Sequence, residues 1–174
     1  MAIVLEGFDN SGKSTLARAL PFPVMHPGPR PKTPKEEERC FHKQMFYANQ
    51  KFTLDRVTCV STACYAGKIQ PYITWAREMA NTVHCVFIYC RPPIEAIKDF
   101  SKHIAKSYDE ATQIQWLHDN ADQVVARYDD FFMFVPHMVY DYTAPDQGVL
   151  DAAIEAQHSV EGWYRWTNKA RTGA

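Results

Sequence analysis

The chain has 174 residues, 46% of them hydrophobic and 22% charged, with a mean hydropathy of −0.38 and a formal net charge of −1. That length predicts one domain with a real core, and no apolar run approaches the roughly 18 residues that a membrane helix needs. A charge so near zero excludes a global basic field, so any contact with nucleic acid has to be local.

The start, "MAIVLEGFDN", has no basic n-region and carries Glu6 at once, so a signal peptide is not expected. Cys40, Cys59, Cys64, Cys85 and Cys90 are odd in number and contain no C-x-x-C pair. Reduced thiols in a cytoplasm fit that pattern better than a disulfide framework or structural zinc. "AIVLE" reads as a strand buried on both faces, followed by a glycine-rich turn and a helix from about Lys13 to Leu20, stopped by Pro21. "FPVMHPGPRPKTPKEEER" is loop-like and ends on a capping box, Thr33 with Glu36, that opens a helix over Pro34–Gln50. "KFTLDR" reads as a short strand ending in Asp55-Arg56, and "VTCVSTACYAGK" as a helix ended by Gly67. "PYITWAREMAN" is another helix, and "VHCVFIYC" a central parallel strand. A helix is expected from Pro93, with Lys98, Lys102 and Lys106 spaced to form one basic face. Ser107 and Glu110 cap a longer helix on which Ile114, Leu117, Ala121, Val124, Val125 and Tyr128 recur at helical spacing. "HMVYDY" is the last strand, and "DQGVLDAAIEAQHSVEGWYRW" the last helix.

Strands alternating with helices predict an α/β fold: three layers, with about five parallel strands flanked by helices, in a single domain over residues 1–174. Sites in such sheets lie at the carboxyl ends of the strands, here Glu6-Gly7, Met25-His26, Asp55-Arg56, Cys90-Arg91 and Asp141-Tyr142. Gly7-x4-Gly12-Lys13-Ser14 is a complete P-loop pattern, directly after a strand and before a helix. Its glycines let successive backbone N–H groups turn inward onto phosphate oxygens, and the helix adds its positive end. Gly7, Asn10, Ser11, Gly12, Lys13, Ser14 and Thr15 are therefore the expected ATP-binding residues. Lys13 is expected to reach the β/γ-phosphates, and Ser14 to bind Mg²⁺. Arg56 offers a planar fork for anionic oxygens, and Asp55 a carboxylate at a strand end beside the P-loop.

"EGFDNSGKST" followed by "LDRVTCVSTACYAG" resembles the thymidylate kinase family, and "IYCRPPIEAI" is similar to that family's segment after the fourth strand. The resemblance implies a nucleoside-monophosphate-kinase-like fold with a lid-like segment at about 92–110. It implies that Asp9 meets the acceptor sugar and reacting oxygen, that Arg56 binds the acceptor's phosphate, that Asp55 serves metal or acceptor, and that Tyr65 packs on the acceptor. Two departures stand out. The family's Arg-Glu-Pro-Gly is Met25-His26-Pro27-Gly28 here, and the lid segment holds lysines but no arginine after Arg91. The resemblance extends to a phage subgroup of that family that phosphorylates 5-hydroxymethyluracil within DNA in the host cytoplasm, which the short chain and the altered acceptor loop suit.

The expected function is thus transfer of the γ-phosphoryl of ATP, with Mg²⁺, to a thymine-like acceptor. Lys13, Asp9, Arg56 and Arg91 are its catalytic residues, and Ser14 and Asp55 its metal ligands. A free dTMP-like kinase and a non-catalytic nucleotide-binding regulator are the alternatives. Arg30, Lys32 and Lys35 are candidate DNA-backbone contacts. Trp163, Arg165, Trp166, Lys169 and Arg171 read more readily as a packed terminal helix than as a stacking surface. Partners are a nucleotide or modified DNA and no membrane. A homodimer is one option that the sequence leaves open.

Overall fold

The computed structural model describes residues 1–26, 28, 31–101, 103–158 and 161. Its strands are β1 (Ile3–Glu6), β2 (Val24–Met25), β3 (Thr53–Asp55), β4 (Val86–Cys90) and β5 (Met138–Tyr140). They form one parallel sheet in the order β2-β3-β1-β4-β5. The P-loop strand is central, with Leu5 opposite Asp55 on one side and Ile88 on the other. This register brings the carboxyl ends of β1, β3 and β4 to one level.

The helices are α1 (Lys13–Ala19), α2 (Pro34–Ala48), α3 (Thr58–Ala66), α4 (Ile69–Thr82), α5 (Ile94–Lys98), α6 (Tyr108–Phe132) and α7 (Gln147–His158). Alternate residues of β1 and β4 face opposite layers. Val4, Phe87 and Tyr89 join α2, α3, α4 and α6 in the larger core, while Ile3, Leu5, Val86, Ile88 and Cys90 meet α1 and α7 in the smaller. The sheet is thus buried on both sides, which is why its central strands carry apolar runs without alternation.

Local chemistry accounts for the helix ends. Thr33 and Glu36 complete the capping box of α2. Gly67, at φ 70°, ends α3 in the left-handed conformation. In α4, Gln70 is pushed to ψ 137° by the proline that follows it, so regular helix begins one residue later. Ser107 accepts from the Glu110 N–H, but the Glu110 carboxylate reaches back to the Lys106 N–H. Only half of the expected box therefore forms.

The basic helix face expected from Lys98, Lys102 and Lys106 does not form. Helix α5 ends at Lys98, because Asp99 leaves helical geometry at ψ 84° and Pro93 has already fixed its start. Lys98 instead pairs with Asp122 of α6. Lys102, Arg30, Trp163, Arg165, Trp166, Lys169 and Arg171 lie outside the described residues. Among those described, no helix is long and apolar enough to cross a membrane.

Candidate active site

The turn between β1 and α1 is shaped by what its glycines avoid. A Cβ on Gly7 (φ 140°) would lie 2.5 Å from the Cys90 carbonyl oxygen, and one on Gly12 (φ 84°) 2.7 Å from Tyr142. Either side chain would collide with its neighbour, and both conformations suit glycine. Lys13 is buried within the turn. Its Nζ donates to the Phe8 carbonyl and, at 3.2 Å, to Ser11 Oγ. Burial, with Arg56 adding like charge, pushes its ammonium down to about 8.

Asp9, Asn10, Ser11, Gly12, Lys13, Ser14 and Thr15 line a cavity of about 440 Å³, closed opposite by His26, Asp55, Arg56 and His103. Ser14 Oγ donates to Asp55 Oδ2 at 3.3 Å, and His26 Nδ1 lies 3.3 Å from the same oxygen. A hydroxyl and a carboxylate meeting at the mouth of a P-loop are hard oxygen donors of the kind Mg²⁺ takes. The residues predicted to hold the metal therefore sit together and fit it.

Asp9 and Arg56 form the next part of the site. Arg56 donates to Asp9 Oδ1 at 2.9 Å. Tyr65 donates its hydroxyl proton to Asp9 Oδ2 and accepts the Asp9 N–H at 3.1 Å. The Arg56 guanidinium also lies 5.5 Å from the Tyr65 ring centre, within cation–π range. Burial pushes the Asp9 carboxyl up, but Arg56, Lys13 and the hydrogen bonds together outweigh it and hold the group below its usual range. Asp9 is therefore a carboxylate at neutral pH.

Arg56 takes φ 76°, an uncommon backbone for a side-chain-bearing residue, and Asn10 takes φ 64°. Glu6 holds the first of these turns. Fully buried at the end of β1, it accepts the Val57 N–H on Oε1 at 2.5 Å and the Tyr128 hydroxyl on Oε2 at 3.4 Å. Burial pushes its carboxyl up to about 7.

A second cavity, of about 470 Å³, opens on the other side of the Asp9–Arg56 pair. Its walls include Thr58, Ser61, Tyr65, Gln113 and Trp116. Tyr65 is stacked between Phe8 (5.9 Å, 9°) and Trp116 (6.4 Å, 21°), which makes an aromatic wall. Ser61 Oγ is buried without a partner among the described residues.

One expected role is corrected. Arg91 is not part of either cavity wall. It forks onto Asp129 of α6, Nε to Oδ1 at 3.0 Å and a terminal nitrogen to Oδ2 at 3.2 Å, while its remaining terminal nitrogen donates to the Pro92 carbonyl at 2.9 Å. Each of its three nitrogens thereby donates to the protein. Asn10 lines the P-loop cavity, but its side-chain amide points to α5 and donates to the carbonyls of Ala96, Ile97 and Asp99 at 3.1, 3.0 and 2.9 Å. Sequence reasoning missed Trp116, Ser61, Gln113, His103 and the part played by Glu6. Glu6 and Ser61 lie inside the quoted motif stretches, which carry no sign of their packing roles, while Trp116, Gln113 and His103 belong to no motif and reach the site only through packing of distant segments.

The sequence matches no protein-family profile and no curated protein. Among solved structures, the chain is similar to the YorR protein of Bacillus subtilis in complex with phosphorylated GDP. That likeness has a TM-score of 0.62 and 19% identity, and covers 88% of this chain and 93% of that one. It is similar also to deoxyadenosine kinase from M. mycoides with bound dCTP, at a TM-score of 0.50 and 15% identity over 91% and 99% of the two chains. The chain shares the fold of these proteins, a five-stranded parallel sheet flanked by helices. At these identities the likeness does not single out the thymidylate kinase family.

Proposed function

We propose that this chain is a phosphotransferase that moves the γ-phosphoryl of ATP, with Mg²⁺, onto the hydroxyl of a thymine-like deoxynucleotide. The observation that carries this reading is that Asp9 and Arg56 line both cavities. A donor held by the P-loop and an acceptor held against Tyr65 would meet at that pair and nowhere else along the two walls.

The acceptor oxygen attacks the γ-phosphorus as the bond from that phosphorus to the bridging oxygen of ADP breaks. The proton of the hydroxyl passes to the Asp9 carboxylate, which is ionised to receive it. Lys13 and Arg56 supply positive charge where the transferring group carries negative charge, and backbone N–H groups of the turn hold the phosphates. Mg²⁺, held by Ser14 and Asp55, would neutralise phosphate charge. Most of the work is positioning and charge stabilisation, since phosphoryl transfer leaves little covalent chemistry to the protein.

For the acceptor, our first reading is the hydroxymethyl group of 5-hydroxymethyluracil in phage DNA. Its support is chemical. Where the thymidylate kinase family has an acceptor-loop Arg-Glu, this chain has Met25-His26, so a free monophosphate loses a clamp. A second reading is a free deoxynucleoside monophosphate kinase. It is favoured by the small nucleotide ligand of the YorR neighbour.

Labelled ATP offered with 5-hydroxymethyluracil oligonucleotides, plain oligonucleotides and free dTMP decides between them. Label on the modified strand alone is expected. Efficient label on dTMP with none on DNA would promote the second reading. ATP binding with no transfer to any acceptor would leave a nucleotide-binding regulator.

A further inference from the structure

A third cavity, of about 620 Å³, runs along α2. It shares His26 with the P-loop cavity, and Gly28 and Pro31 with the acceptor cavity, so the three form one continuous cleft. A reaction between ATP and a single small acceptor accounts for two of them.

The lining of the third is basic. Arg39 and Lys43 stand one turn apart on α2, and Lys32 projects from the loop before it. All three are exposed, and among the described residues their side chains enter no hydrogen bond or ion pair. Of the nearby acids, one shares the groove and two turn to other partners. Glu36, which also lines the groove, spends one carboxylate oxygen on the N–H groups of Lys32 (2.7 Å) and Thr33 (3.2 Å). Glu37 accepts the Tyr72 hydroxyl at 2.7 Å, and Glu38 faces His42 at 3.9 Å. A chain of net charge −1 thus gathers three cations against one carboxylate, Glu36, in one groove that opens into its candidate active site. Half-buried Tyr47 adds an aromatic face to the same wall.

We propose that the groove along α2 holds the phosphodiester backbone of a single-stranded polynucleotide running into the acceptor cavity. Spaced anions match spaced cations, and a tyrosine beside them offers a surface for stacking. The strand has to be single, or locally opened, because the acceptor cavity is walled by aromatic rings and has the size for one unstacked nucleotide. The inference rests on the phosphotransferase reading only for what happens at the Asp9–Arg56 end. The groove's charge stands without it.

The test is fluorescence anisotropy with labelled dT12, on wild type, on Lys13→Ala and on Arg39→Ala/Lys43→Ala. Wild type and Lys13→Ala are expected to bind alike, because Lys13 is buried in the P-loop turn and does not line the groove. The double variant should bind about ten-fold more weakly at 0.1 M salt. Its log–log salt slope should be shallower by about 1.4, two contacts at ~0.7 each for a single strand. A circular-dichroism melt checks that the double variant folds, as exposed substitutions on a capped helix should. The proposal is overturned if wild type does not bind dT12. It also falls if the double variant keeps the affinity and slope, or if inorganic triphosphate displaces dT12 completely. Binding that follows the groove, with no phosphoryl transfer to any acceptor, would sink the phosphotransferase reading and leave the groove. Transfer to free nucleotides with no dT12 binding would do the reverse.

Discussion

Arg56 owes its position to its neighbours as much as to its own chemistry. Its left-handed backbone, at φ 76°, costs on the order of 1–3 kcal/mol and turns the guanidinium back over Tyr65 toward Asp9. Arg56→Lys keeps the charge but loses the fork, so acceptor KM should rise ten-fold or more with ATP KM within two-fold. An equal rise in both would mean that Arg56 serves the donor instead. Glu6 locks the residue after that turn and makes a separate, pH-dependent contribution. Its folded-state pKa of about 7 lies above the unfolded value of 4.5, so the fold favours the protonated form. That contribution is whole below about pH 4.5 and is lost as pH rises through 7. Glu6→Gln keeps an acceptor for the Val57 N–H and cannot ionise. Relative to wild type it should therefore gain stability between pH 5 and pH 8, by on the order of 1–3 kcal/mol in urea titrations. Stability curves for the two proteins that run parallel across that range would remove Glu6 as the titrating group.

At the scale of elements, the P-loop and the segment after β4 behave as one unit. The Asn10 amide satisfies the carbonyls that end α5, so a residue of the phosphate loop caps a helix some ninety positions away. Asn10→Ala should leave those carbonyls to water and speed amide exchange in residues 94–101 about ten-fold, with little change in global melting. Uniform exchange rates across the two proteins would show that the clasp carries no local stability. This contact also marks how much the sequence could say. The P-loop was legible because its glycines, lysine and serine must be contiguous for backbone amides to converge on one group. The α2 start was legible because Thr33, Pro34 and Glu36 act within one turn. Arg91 misled because a strand end places a residue near the site without saying which way its fork turns, and Asp129 lies 38 residues on. The lysine face misled because spacing describes a helix only where a helix exists, and α5 stops at Lys98. Gln113 and Trp116 were invisible for the converse reason, since nothing local distinguishes a wall residue from any other on an amphipathic helix.

Across the whole molecule, the sheet order decides which chemistry can meet. Placing β1 between β3 and β4 puts the P-loop beside Asp55-Arg56 on one flank and β4 on the other, with the larger core locking one face and the smaller core the other. The cleft spans loops anchored on both flanks, so a ligand there should stabilise the entire fold rather than one loop. ATP with Mg²⁺ at a hundred times its dissociation constant adds about 2.7 kcal/mol to the folded state. For a chain of 174 residues, about 2–4 °C per kcal/mol makes that a rise of roughly 5–11 °C in Tm. If Ser14 and Asp55 hold the metal, EDTA should remove most of the rise in wild type. Asp55→Ala should give the small shift whether or not Mg²⁺ is present, since its partner oxygen is gone. Differential scanning calorimetry of both proteins, with ATP alone and with ATP plus Mg²⁺, measures all four shifts. A full rise in Asp55→Ala, or one in wild type that ignores EDTA, would take Asp55 out of the metal site and leave the phosphates held by the loop and Lys13 alone.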